Sequence, residues 1–357
     1  MQEDRGDPVN LALCLDGLPA GDLPAIAAEA ERRGFQKVLA AETAGVEPFV
    51  ACAAMAAATR SILVGTGIAG IHGRSAASIA MAAASLAALS GGRFVLGLGL
   101  QSREVVEELH GTTYGGLGAM RETIHVVRRL LAGETVTFHG QAVGIEGRRL
   151  AFPPRVPVPI HVGALGPRML ELCGEVADGL LGWFCSRSFL DQIVRPRLDA
   201  AARQRGRSLA GFDLTWMLPA LVSDDRGARD LMRPYVATYL TTGWPSYDRV
   251  AEASGFGPAA AELRRRLHHA PHFDEVAKAV SEEMLDAFTL CGSAGDVRAG
   301  IERLRGIGVT TLCLFPIPPG QFYPLFPGHF PASLAVSPTD LGGLRRNVAA
   351  ILGGGLV

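Results

Sequence analysis

The chain has 357 residues, 48% apolar and 19% charged, with a formal net charge of −1. That composition builds a sizeable core and excludes a disordered chain, and its scattered lysines and arginines make no basic field for nucleic acid or anionic lipid. Six cysteines without metal-type spacing read as reduced core thiols, and no run reads as a membrane span, so a cytoplasmic, globular protein is expected.

Short apolar runs alternate with helical patterns along most of the length. Strands are expected at residues 10–15, 37–41, 62–66, 94–98, 160–163, 179–183, 214–221 and 311–315. The most informative stretch is 62–99, ILVGTGIAGIHGRSAASIAMAAASLAALSGGRFVLGLG. It reads as strand, Gly-punctuated loop, Ala-rich helix over 76–89, Ser-Gly-Gly-Arg stop and second strand. Glycines crowd the points where strands end, where a backbone bends sharply or approaches a ligand closely. That end of the strands is where ligands bind in α/β folds. Eight strands interleaved with helices predict one (β/α)8 TIM barrel rather than an open doubly wound sheet. No GxGxxG follows the first strand, and Gly97-Leu98-Gly99 is only a GxG.

Three stretches depart from the alternation. Between strands four and five, a helix over 120–131 (MRETIHVVRRLL) is followed by a Gly- and Pro-rich excursion over 135–159, with short β pieces. Between strands seven and eight, 230–287 is a helical insertion with Tyr235, Tyr239, Trp244, Tyr247 and Phe256, placed as a lid or substrate wall. Its aromatics serve equally as the insertion's own core. The C-terminal extension, 316–357, opens with PIPPGQFYPLFPGHFP, which no regular helix accommodates. It is expected to pack over the barrel, or across a partner subunit.

Five stretches, ERRGFQKVLAAE with EPFVACAAMAAATRSILVGTGI, LSGGRFVLGLG, MRETIHVVRRLLAGETVTFHG, PVPIHVGALGPRMLELCGEVADGLL and CGSAGDVRAGIERLRGIGVTTLCLF, occur in an order and spacing that resembles the luciferase-like monooxygenase superfamily. Within it, the chain is most similar to the branch that uses the deazaflavin coenzyme F420. The resemblance implies a barrel with the deazaflavin across the carboxyl ends of its strands, usually in a homodimer. It also implies a bulge after the third strand with a non-prolyl cis peptide, here Gly67–Ile68, backing the ring.

The chemistry then falls on a few residues. Glu42 ends strand two where relatives place an acid near ring or substrate, and a carboxylate there positions substrate or relays a proton. The turn Gly163-Ala164-Leu165-Gly166-Pro167-Arg168 opens a helix, and its N–H groups form a natural phosphate cradle for the cofactor's tail. Gln101 and Ser102 follow strand four. Ser102 stands where some deazaflavin enzymes carry an acidic glutamate, while Arg103 is placed to reach an anionic tail. Many relatives read Asn-Pro, two residues, then Arg-His-Pro, where this chain reads Gly70-Ile71-His72-Gly73-Arg74-Ser75, so only Arg74 matches. His72 becomes a candidate proton donor, its ordinary titration lying near working pH. His110 and His161 read as structural. His268, His269 and His272 match no metal-ligand spacing, and no metal is expected.

The leading expectation is an F420-dependent oxidoreductase moving a hydride between the cofactor's C5 carbon and a small-molecule or peptide substrate. An activated C=C bond of a natural product or modified peptide would suit the aromatic insertion. An FMN-dependent monooxygenase is the alternative within the superfamily. A cofactor-binding carrier or sensor is the alternative outside catalysis.

Overall fold

The computed structural model describes residues 9–43, 45–225, 227–269, 273–317 and 340–356. Eight parallel strands close into a barrel: β1 (Asn10–Leu15), β2 (Lys37–Ala40), β3 (Leu63–Thr66), β4 (Phe94–Gly99), β5 (Ile160–Gly163), β6 (Gly179–Trp183), β7 (Asp213–Val222) and β8 (Thr311–Pro316). Each pairs with the next, and β8 returns to β1 with Asn10 opposite Thr311. All eight lie within one residue of the expected strands, because runs buried on both faces are apolar throughout.

Alternation inside each strand splits the apolar residues into two populations. Leu11, Leu13, Phe94, Leu96, Leu98, Ile160 and Val162 point outward into the main core beneath the helices. Ala12, Cys14, Leu39, Leu181, Met217 and Cys313 point inward and make a separate cluster on the barrel axis. The helix Ala76–Leu89 packs closely because its inner face is alanine, and Ser75 caps its start by accepting the Ser78 N–H at 3.1 Å. The helix Gly116–Leu131 begins one turn earlier than the apolar pattern suggests and buries Met120, Ile124, Val127 and Leu131.

The excursion between β4 and β5 holds a short antiparallel hairpin, Val136–His139 with Gly144–Arg148. The insertion between β7 and β8 is helical, as Arg233–Thr241, Pro245–Ala253, Gly257–Leu267, Phe273–Ala277 and Glu282–Phe288, and prolines open the first three of these helices. Most of the Pro-rich stretch, 318–339, lies outside the described residues. The extension regains a helix at Leu341–Gly353. There buried Asn347 accepts the Val222 N–H at 3.0 Å and donates to the carbonyls of Ala220 and Ile317, sealing the carboxyl ends of β7 and β8. No described helix is long and apolar enough to cross a membrane.

Candidate active site

The carboxyl ends of β3 and β4 are shaped by one extra residue. Gly65 pairs with Val95, but further on Ala69 pairs with Leu98, so β3 carries a bulge at 66–68. The Thr66 hydroxyl replaces the interrupted ladder, accepting from the Gly97 N–H at 2.9 Å and donating to the Gly97 carbonyl at 2.6 Å. The Gly67–Ile68 peptide within the bulge is cis. Its Gly67 N–H donates to the Ala40 carbonyl at 2.8 Å, and the Cys14 thiol donates to the Gly67 carbonyl at 3.6 Å.

This end of the barrel has two unlike halves. On β3 to β5 the inward positions are glycines. A Cβ at Gly97 would collide with the Thr66 carbonyl, one at Gly99 would collide with Ile68, and one at Gly163 would lie 3.2 Å from Ile68. The Ile68 side chain therefore rests on bare backbone of β4 and β5. On β6 to β8 the inward positions are Trp183, Met217 and Phe315, with the Trp183 and Phe315 rings 4.8 Å apart, edge to face. Tyr239 of the insertion adds its ring 5.7 Å from Trp183.

Glu42 stands at the β2 end with both oxygens engaged. It accepts from the Gly70 N–H at 2.7 Å and forms an ion pair with Arg74 at 2.9 Å. Arg74 also pairs with Glu47 and lies over the Phe49 ring. The two residues thus tie the segment after the bulge to β2. Gln101 adopts a left-handed backbone (φ 59°). Its amide presses against Gly70, with Nε2 donating to the Glu42 carbonyl at 3.4 Å and Oε1 buried without a partner among the described residues.

The remaining loop residues form a second layer. The His72 ring stacks on Tyr114 at 5.2 Å, and its Nε2 accepts the Gly115 N–H at 2.9 Å. Burial pushes its titration below the ordinary histidine value, and nearby His110 adds to this, against the Leu100 carbonyl. Ser102 accepts the Val105 N–H at 3.2 Å and so opens the turn that follows β4. Arg103 is exposed, lies 4.7 Å over the Tyr114 ring and pairs with Glu107.

The turn after β5 has the form expected of a cradle. Ala164 donates to the Leu181 carbonyl, and the Gly166 carbonyl takes the N–H groups of Met169 and Leu170. The N–H groups of Leu165, Gly166 and Arg168 meet no acceptor among the described residues. Pro167 has none, and the helix Pro167–Val176 follows directly. Three open donors at a helix start beside a glycine-lined wall fit a flat cofactor with an anionic tail.

Sequence reading missed three residues that the fold brings to this end, Asp16, Trp183 and Phe315, whereas Tyr239 was already expected in a substrate wall or insertion core. Asp16 follows the end of β1, and its Oδ1 accepts the Thr43 hydroxyl at 2.8 Å. His161 faces inward near the opposite end of the barrel, beside Lys37 and Asp213. His268 and His269 are exposed, His272 lies outside the described residues, and no group of three metal-ligating side chains occurs among the described residues. A shallow cavity of about 550 Å³, lined by Arg195, Phe212 and Thr310, also opens at that opposite end, away from where barrels carry their chemistry.

Known proteins agree with this architecture. The family profile described as luciferase-like monooxygenase matches residues 10–311. A 5,10-methylenetetrahydromethanopterin reductase of Methanolobus tindarius is 32% identical over 285 residues, spanning 79% of this chain and 86% of the relative. Among solved structures, the coenzyme F420 dependent tetrahydromethanopterin reductase from Methanopyrus kandleri shares the fold with a TM-score of 0.74 at 24% identity, covering 86% of this chain and 93% of that one. An F420-dependent secondary alcohol dehydrogenase shares it with a TM-score of 0.68 at 19% identity, over 86% and 93% of the two chains. The chain belongs to the luciferase-like monooxygenase family.

Proposed function

We propose that the protein is a coenzyme F420-dependent oxidoreductase that reduces an activated C=C bond in a natural product or modified peptide. The observation that carries the reading is the division of the barrel mouth into a glycine half beside open N–H donors and an aromatic half beneath the insertion. The names of solved structures that share the fold, two F420-dependent enzymes, support the same cofactor, and the relative at 32% identity is named a reductase.

When bound, the deazaflavin supplies a carbon that gives or takes a hydride. The chain's own residues bind, orient and exclude water. Ile68, Gly99 and Gly163 form a flat apolar floor for the ring. The N–H groups of Leu165, Gly166 and Arg168 take the phosphate of the tail, with Arg103 at the rim for a further anionic group. Glu42 and Arg74 hold the segment after the bulge, so Gln101 presents its amide oxygen at a fixed place. Trp183, Phe315 and Tyr239 keep water from the substrate half, which matters because hydride chemistry requires close, dry contact.

The test is a parallel titration with F420 and FMN, followed by tryptophan quenching and cofactor absorbance. Preferential binding of the deazaflavin is expected. Binding of FMN alone would make the protein an oxygenase of the same family. Binding without hydride exchange to any acceptor would make it a carrier.

A further inference from the structure

The cavity of about 550 Å³ at the amino end of the barrel lies between the helix Arg195–Gln204 and the starts of β7 and β8. Arg195, Leu198 and Asp199 stand at i, i+3 and i+4 on that helix, so one face turns all three to the cavity. Leu198 continues into an apolar wall with Leu209, Phe212 and Leu214. Asp213 also borders the cavity, but its charge is already answered. Lys37 pairs with one oxygen, and the hydroxyls of Thr215, Thr310 and Thr311 donate to the other.

Opposite charges four residues apart on a helix are spaced to pair with each other. Among the described residues, though, Arg195 comes within ion-pair distance only of Asp191, with Nε 3.6 Å from Oδ1 and no hydrogen bond formed. Gly308 supplies the reason. Its backbone is left-handed (φ 69°), and the guanidinium lies on its bare α-carbon, where a Cβ would collide with it. Nε and Nη2 are buried there and meet no acceptor among the described residues, which leaves Nη1 as the edge open to the cavity. Asp199 is exposed and forms no ion pair among the described residues. A cation and an anion are thus held apart beside an apolar wall. A guanidinium without an acceptor is costly to keep, so a ligand carboxylate there is favoured.

We propose that this cavity binds a free α-amino acid with an apolar side chain, such as leucine or phenylalanine. The ligand's carboxylate takes Nη1 of Arg195, its ammonium takes the Asp199 carboxylate, and its side chain covers Leu209 and Phe212. Neighbouring charges of opposite sign on one small molecule suit two side chains whose Cβ atoms stand about 5–6 Å apart on a helix face. A simple anion would meet Asp191 and Asp199, and a simple cation would meet Arg195, so either leaves like charges together. The site needs no cofactor and lies at the end of the barrel opposite the glycine half, so it stands apart from the F420 reading.

The experiment is saturation-transfer NMR of the full chain, titrated with L-leucine and L-phenylalanine. A Kd below about 1 mM is expected for at least one of them. Two analogues then dissect the ligand on wild type. N-acetylphenylalanine keeps the carboxylate without the ammonium, phenylalaninamide keeps the ammonium without the carboxylate, and each should bind about tenfold more weakly or worse. Glycine, which has nothing to lay on the wall, should bind more weakly still. Arg195→Gln and Asp199→Asn should each weaken phenylalanine about tenfold with the melting temperature nearly unchanged. Should Arg195→Gln fail to fold, Asp199→Asn and the analogues decide. No binding of either amino acid at about 10 mM would overturn the proposal. So would an analogue that binds as well as phenylalanine, which would leave a site for one charge only, or unchanged affinity in both variants, which would put the amino acid elsewhere on the chain.

Discussion

Ile68 lying on the bare α-carbons of Gly99 and Gly163 is the contact on which the proposed ring floor depends. A methyl at Gly99 has nowhere to go but into the Ile68 side chain, and overpacking of that kind costs about 1–3 kcal/mol. Gly99→Ala is therefore expected to lower the unfolding temperature. It should also weaken F420 binding at least tenfold, because the displaced Ile68 intrudes on the cofactor half. Ile68→Ala alone leaves a small void, whereas the double variant lets the new methyl fill it. Scanning fluorimetry of the four proteins checks this. The expected outcome is strong positive coupling, with the double variant more stable than the sum of the single costs. Additive costs would mean that the two groups do not meet.

At the scale of elements, the strands were readable because each is a short apolar run bounded by glycine or a polar turn. The bulge was readable from GTGIAG only beside a family resemblance. Side-chain partnerships were not. Glu42 suggests a free acid in isolation, and only the fold brings Arg74 and Glu47 against it. The insertion's helices were legible, but the question left open by its aromatics is answered by contact. Phe184, just past β6, stacks on Tyr239 at 4.5 Å and on Phe288 at 4.8 Å, and meets Tyr247 edge-on at 6.1 Å. The rings thus form a core that joins insertion to barrel, and Tyr239 also borders the mouth. Phe184 is fully buried, so Phe184→Ala should cost about 3–5 kcal/mol in urea unfolding, with faster proteolysis within 230–287. A loss under about 1 kcal/mol would show the insertion to be only loosely attached.

Across the whole molecule, the two ends of the barrel solve opposite problems. The carboxyl end, where barrels bind their ligands, leaves bare glycine on β4 and β5. The amino end closes the axis with a polar plug. There buried Lys37 pairs with Asp213 and donates to Thr215 at 3.2 Å, while Thr310 and Thr311 donate to the same carboxylate at 2.7 and 3.0 Å. His161 sits inside this plug. Burial first, and the Lys37 charge second, push its titration from 6.5 down to about 4, against the smaller pull of Asp213 and Asp178. The folded protein therefore keeps His161 neutral where the unfolded chain takes up a proton. Stability is expected to fall as pH drops from about 6.5 toward 4, by up to about 3 kcal/mol. Asp213 has the opposite chemistry. Burial would raise it, but Lys37, His161 and the hydroxyls hold it far below the usual carboxylate range, so its contribution is lost only below about pH 4, as the unfolded carboxylate begins to protonate. The two groups act in successive windows, which lets one variant separate them. In urea unfolding at pH 7 and pH 4.5, His161→Gln should remove most of the decline seen in wild type, because glutamine takes up no proton. An equal decline in both proteins would mean that His161 is already charged in the fold, and that the plug carries two cations rather than one.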